Sequence, residues 1–259
     1  MHRSVGAGTG MTRRFYVDPP ALDSDNVTLD RGLAHRLSAV LRARAGDEAT
    51  LFDGSGDDVR VRIDALSDRG GMATVLERRR GPAEPHIAVN LYQSITKGER
   101  FEWLLEKATE VGVRRFVPLL TARAVVRPRG ESAKTERWHR IVVEAAEQCE
   151  RSAVPLVDAP QSFDDALANA PGILLLPFEA AGEAAPNVQA ALDGEIDALF
   201  ALGEVSIFIG PEGGYEPAEV ERAQAAGAAI VTMGERVLRS ETAGLVAATL
   251  VMQAIGEMG

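Results

Sequence analysis

The chain has 259 residues, 46% of them hydrophobic and 25% charged, with a net charge of −10, which suits one large globular domain or two modest ones. Its single cysteine, Cys149, excludes an internal disulfide framework and fits a reducing cytoplasm, and its four scattered histidines offer no zinc spacing. No apolar run is long enough to span a membrane, and Met1 to Gly10 lack the apolar stretch of a signal peptide.

Residues 1–12 read as a flexible, Gly-rich lead, with Met11 as a second candidate start. Phe15-Tyr16-Val17 is a β-prone run closed by Pro19-Pro20. Asp30 is placed to cap a helix carrying Leu33, Leu37, Val40 and Leu41 on one face. Leu51-Phe52-Asp53 leads to the turn Gly54-Ser55-Gly56. Val59, Val61 and Ile63 then alternate with Arg60, Arg62 and Asp64, the period of a half-buried strand. A second turn at Asp68-Arg69-Gly70-Gly71 precedes Ala73, Val75 and the basic run Arg78-Arg79-Arg80. This β-rich module, expected to be a small barrel, ends at the linker Gly81-Pro82-Ala83-Glu84-Pro85.

Beyond the linker, strands and helices alternate. Ile87, Val89 and Leu91 mark a strand; Phe101, Leu104, Leu105, Ala108 and Val111 mark a helix stopped by Gly112. Phe116 to Leu120 is strand-like, and Trp138, Ile141, Val142, Ala145 and Cys149 recur at helical spacing. Cys149 reads as a small core residue, and Trp103 and Trp138 as packing or dimer anchors. The runs Ile173–Leu176, Val205–Ile209 and Ala229–Val231 are uninterrupted, as in buried parallel strands, with helices near Pro217–Ala226 and Glu241–Ile255. The fold class is α/β with a parallel sheet.

Charge is unevenly spread. Residues 1–157 hold 25 basic and 22 acidic side chains, whereas residues 158–259 hold three and 16. A polyanion can therefore be gripped by the N-terminal part despite the acidic total.

Two words carry candidate chemistry. Gly210-Pro211-Glu212-Gly213-Gly214 follows a strand and precedes a helix, where ligands sit in open α/β sheets. It lacks the Lys-Ser/Thr of a phosphate loop and the G-x-G-x-x-G order of a dinucleotide site, so spacing alone leaves a ligand loop and a tight connection both open. The second word runs from Met233-Gly234 through Val237-Leu238-Arg239-Ser240-Glu241-Thr242-Ala243. An N-cap by Ser240 with Glu241 near the helix dipole explains part of it but not Leu238 or Arg239. A third turn, Leu175-Leu176-Pro177-Phe178-Glu179, also lies at a strand end.

With these words stand Arg14-Phe15-Tyr16-Val17, His35-Arg36-Leu37, Val40-Leu41-Arg42, Lys97-Gly98-Glu99-Arg100, Lys107-Ala108-Thr109-Glu110-Val111-Gly112-Val113 and Glu147-Gln148-Cys149 with Arg151 and Pro155. In this order and over nearly the whole chain, the sequence resembles the ribosomal RNA small subunit methyltransferase E family of the SPOUT superfamily. The resemblance implies a PUA-like β-barrel RNA-binding domain over 13–81 and, over 86–259, an α/β methyltransferase domain with a C-terminal trefoil knot. It further implies a cytoplasmic homodimer, without metal or membrane, that methylates N3 of uridine 1498 in 16S rRNA of the small ribosomal subunit. The alternatives are another RNA position, or a non-catalytic RNA-binding assembly protein.

Carried onto this chain, the resemblance assigns S-adenosylmethionine to Leu176, Pro177, Ile209, Gly210, Pro211, Glu212, Gly213, Gly214, Met233, Gly234, Val237, Leu238, Arg239, Glu241, Thr242 and Ala243. Arg239 is the expected cation for the uracil oxygens, and Glu212 or Glu241 the expected base for the N3 proton. RNA contacts are expected from Arg14, Arg36, Arg42, Arg60, Arg62, Lys97, Arg100, Arg123, Arg127, Gln148 and Arg151.

Overall fold

The computed structural model describes residues 14–82, 84–124, 131–182 and 184–258. The expected flexible lead and Arg127 lie outside the described residues. Contacts divide the chain into two units, Met1–Ala83 with Glu147–Val154, and Glu84–Ala146 with Pro155–Gly259. A single linker at 81–85 does not anticipate the return of 147–154 to the first unit.

The first unit holds β1 (Arg14–Tyr16), β2 (Asn26–Leu29), α1 (Arg31–His35), β3 (Glu48–Phe52), β4 (Asp57–Ser67) and β5 (Gly70–Arg80), in the sheet order β1-β3-β4-β5-β2. β1 runs parallel to β3 and the other pairs are antiparallel. The strand path begins at β1 and ends at β2, so the expected barrel takes the form of a five-stranded mixed sheet. Alternation along β4 buries Val59, Val61 and Ile63 into one core with Phe15, Val27, Leu37 and Leu51. Asp30 caps α1, its Oδ1 accepting from the Leu33 amide at 2.7 Å. The expected apolar face fails at Val40, which is 67% exposed. The cause is local: the helix widens to π geometry over Arg36–Val40, and the broader turn rotates Val40 off the buried stripe.

The remaining elements are β6 (Ala88–Ser94), α2 (Arg100–Val111), β7 (Arg115–Leu120), α3 (Glu131–Gln148), β8 (Leu156–Val157), β9 (Gln161–Ser162) and α4 (Phe163–Asn169). They continue with β10 (Ile173–Pro177), α5 (Val188–Asp193), α6 (Ile196–Leu202), β11 (Glu204–Ile209), α7 (Pro217–Ala225), β12 (Ala229–Val231) and α8 (Ser240–Ala254). The sheet is wholly parallel, with order β12-β10-β11-β6-β7-β8 and β9 also on β7. Tyr92, Leu176 and Phe208 pack on one face against Phe163 and Leu167 of α4 and Val220 and Ala223 of α7. α8 packs on β6, β11, α2 and α5. Both faces are thus covered, which is why β10 and β12 read as unbroken apolar runs.

α2 forms because Phe101, Leu104, Leu105 and Ala108 recur on one buried face, and Gly112 ends it at φ 110°. Leu104 is fully buried, and truncating such a side chain to alanine costs about 2–5 kcal/mol. After β12, at the sheet edge, the chain doubles back past the ends of β10 and β11 before α8 packs inward. That return brings the segment before α8 against the ends of β10 and β11 and creates the site.

Candidate active site

A cavity of about 280 Å³ opens where three segments meet: the end of β10, the glycine turn after β11 and the returning segment before α8. Buried hydrogen bonds stitch them together. Ser240 Oγ donates to the Gly210 carbonyl at 2.5 Å and accepts from Gln93 Nε2 at 2.8 Å, from the end of β6. Ser240 is therefore not the N-cap of α8. Arg239 holds that position without a capping side chain, and the serine hydroxyl is engaged in joining two loops. The close fit needs a residue with no side chain one turn later. A Cβ on Gly244 would lie 2.3 Å from Gln93 Oε1.

The glycine turn is shaped by its surroundings. Gly214 sits at φ +68°, and a Cβ there would come within 2.6 Å of Glu179 Oε1. Tyr215 follows and is buried. Burial first, then the nearby charges of Glu219 and Glu179, hold its phenol well above the usual range, so it stays neutral. Glu219 braces the turn from α7, accepting from the Ala122 and Glu216 amides at 2.9 Å each. Arg123 Nη1 donates to the Gly213 carbonyl at 3.0 Å.

A second hollow, of about 650 Å³, lies beside the first and shares Arg239 with it. Lys97, Gly98, Glu99, Arg100 and Trp103 line one side, Glu241 and Thr242 the other. Arg100 stands 3.8 Å from Glu212 and 3.7 Å from Glu241. The Lys97 amide donates to Glu212 Oε1 at 3.4 Å. The Arg239 side chain is exposed and has no hydrogen-bond or ion-pair partner among the described residues.

Of the residues expected around the cofactor, Pro177, Ile209, Gly210, Pro211, Glu212 and Gly214 line the first cavity, as do Met233, Gly234, Val237, Leu238, Arg239 and Ala243. Leu176 does not: its side chain is fully buried in the sheet core. Gly213 faces Arg123, while Glu241 and Thr242 line the second hollow. Sequence reasoning left Phe178, Glu179, Tyr215 and Arg236 out of the cofactor set, whereas Ser240 falls inside its expected run 237–243 and does line the cavity. Each of those left out directly adjoins a residue it included or lies one position further, so extending the strand-end turns by one or two positions finds most of them.

The residues expected at RNA divide by charge pairing. Arg14 is enclosed, its side chain 7% exposed, bonded to Asp58 and Ser152; it holds the interior and offers no phosphate contact. Arg36 pairs with Glu147 at 2.9 Å and lies over the Phe15 ring. Arg60 pairs with Glu48 and Glu77, and Arg62 with Asp64. Arg42 is exposed and, among the described residues, has no acidic partner. Lys97 and Arg100 line the second hollow, Arg123 and Gln148 are exposed, and Arg151 is half-buried. Trp138 packs on Phe101 with ring centroids 4.8 Å apart, as expected of an anchor, but Trp103 is 42% exposed. Cys149 is half-buried just past the end of α3, not in a core.

A family model described as the RNA methyltransferase domain matches residues 83–252. The chain is similar to the ribosomal RNA small subunit methyltransferase E of Synechocystis sp., at 34% identity over 238 residues, covering 92% of this chain and 76% of that protein. The Bacillus subtilis protein of the same name is 31% identical, with 82% and 84% covered. Among solved structures, the ribosomal RNA small subunit methyltransferase E of Neisseria gonorrhoeae bound to S-adenosyl methionine superposes with a TM-score of 0.80. It is 30% identical, with 94% of this chain and 98% of that chain covered.

Proposed function

This chain belongs to the ribosomal RNA small subunit methyltransferase E family and is an S-adenosylmethionine-dependent rRNA methyltransferase, and from that premise we propose that it methylates N3 of uridine 1498 in 16S rRNA. On this reading residues 13–81 serve as a PUA-like RNA-binding module and residues 86–259 as a SPOUT domain with a knotted C-terminus. The protein works as a cytoplasmic homodimer on the small ribosomal subunit.

The observation that carries the reading is the first cavity. Its walls suit the cofactor: main-chain groups at Gly210, Pro211, Met233 and Gly234 for an adenine edge, apolar Ile209 and Leu238 for its faces, and Glu179 and Glu212 for a positive charge. Positive φ at Gly214 and Gly234 brings bare main chain to the cavity wall.

When bound, the sulfonium cofactor supplies an electrophilic methyl group and leaves as a neutral thioether, so this chain's part is alignment and proton removal. Uridine N3 becomes nucleophilic on losing its imide proton. A carboxylate takes that proton, and the negative charge left on O2 and O4 needs a cation. Arg239, standing between the two hollows without an acidic partner among the described residues, supplies it. Phosphate docking falls to cations that no carboxylate neutralises: Arg42, Arg44 and Arg69 of the first unit are exposed and, among the described residues, free of ion pairs.

Calorimetric titration of S-adenosylmethionine tests the cavity. Gly214→Val should weaken binding at least tenfold, because it places a branched side chain at φ +68° against Glu179. Unchanged affinity would move the cofactor elsewhere.

A further inference from the structure

We propose that the second hollow receives the base of the target nucleotide, with Trp103 as its stacking platform and Arg100, Glu241 and Arg239 reading its Watson–Crick edge. The proposal rests on the methyltransferase reading above and deepens it by assigning the place where uracil is recognised.

Three observations converge on this hollow. Trp103 lines it and is 42% exposed, on a helix that buries Phe101, Leu104 and Leu105. An unstacked base gains most from such a surface. Lys97, Arg100 and Arg239 outnumber the carboxylates Glu99 and Glu241 around it, a balance suited to a nucleotide. Glu241 lines it as well, is only 7% exposed, and its Oε2 has no hydrogen-bond partner among the described residues. A buried carboxylate oxygen without a donor is costly, and a ligand N–H entering beside it would relieve that cost.

The chemistry of the three polar side chains selects among pyrimidines. Uracil presents acceptor, donor, acceptor at O2, N3–H and O4. Guanidinium, carboxylate and guanidinium, from Arg239, Glu241 and Arg100, present the complement. Cytosine would set its N3 lone pair against the carboxylate and its amino group against a guanidinium. The arrangement also separates the two candidate bases. Glu212 already receives the Lys97 amide and lines the first cavity, whereas Glu241 faces the nucleotide side. Glu241 therefore takes the N3 proton, the electron pair of the broken N–H bond remaining on N3.

The test uses Trp138→Phe protein, in which Trp103 is the sole indole of the two in the chain, with the demethylated cofactor present so that no turnover occurs. Single-stranded RNA pentamers differing only in a central uridine, cytidine or N3-methyluridine are titrated against its fluorescence. The uridine pentamer should quench Trp103. The other two should bind at least tenfold more weakly, and Glu241→Ala should erase the difference. Equal response to all three, or none to uridine, would overturn the assignment. Separately, Trp103→Ala should lower kcat/KM for small ribosomal subunits at least tenfold at unchanged cofactor affinity, with Trp103→Phe largely restoring it; an unchanged kcat/KM would also overturn it. If the native protein methylates the subunits while these results fail, only the pocket assignment falls. If it transfers no methyl group to RNA, the functional reading falls first.

Discussion

Arg14 of the first unit and Arg239 of the other are alike in sequence, each a cation in a word that points to function. The structure gives them opposite tasks. Arg14 is enclosed with Asp58, which is 1% exposed, and with Ser152, whose hydroxyl donates to the same carboxylate at 2.7 Å. Its charge is spent inside the fold. Arg239 is exposed at the junction of two hollows and, among the described residues, answers to no carboxylate. A buried, paired cation organises structure; an unpaired one at a cavity mouth is available to a ligand.

That contrast can be broken by mutation. The largest stability effect belongs to Arg14→Ala, which leaves the buried Asp58 carboxylate with only Ser152 and the exposed Arg79, 3.6 Å away, and should cost about 3 kcal/mol. Urea unfolding followed by a probe in the first unit reads it; a loss below about 1 kcal/mol would show that Asp58 is not truly desolvated. Arg239→Ala should do the reverse, leaving stability within about 0.5 kcal/mol while lowering methyl transfer roughly 100-fold at near-native cofactor affinity. Unchanged turnover would remove Arg239 from the chemistry.

A smaller effect sharpens the comparison at a neutral group. The Tyr215 hydroxyl is buried without a partner among the described residues, so Tyr215→Phe should be neutral or stabilising by up to about 1 kcal/mol. Its raised pKa fixes the sign with pH. Below pH 10 the phenol is protonated both folded and unfolded. Above it the unfolded chain ionises first, so stability falls as pH rises. Tyr215→Phe should flatten that alkaline decline, and an identical slope in both proteins would contradict the desolvation argument.

Legibility in sequence followed the range of the interactions. α2 was readable because its buried stripe and its stop at Gly112 are local, and β10 and β12 because strands covered on both faces leave unbroken apolar runs. β8 and β9, two residues each, and the short helices α5 and α6 offered too few positions for any period to emerge. The two strand-end words announced a site, since glycine and charge cluster there in one segment each. What they could not announce was partnership. Asp58 lies 44 positions from Arg14, and Ser152 lies 138. Gln93, which fixes Ser240, lies 147 positions away. The same blindness hid the role of Ser240, whose position before an apolar helix reads as a cap until Gly210 is seen beneath it.

The most direct test of the account is transfer of a labelled methyl group from S-adenosylmethionine to small ribosomal subunits, followed by mapping of the modified nucleotide. The account predicts one methyl group, on N3 of uridine 1498. Label on another atom or nucleotide, or no transfer by a protein that binds the cofactor, would contradict it.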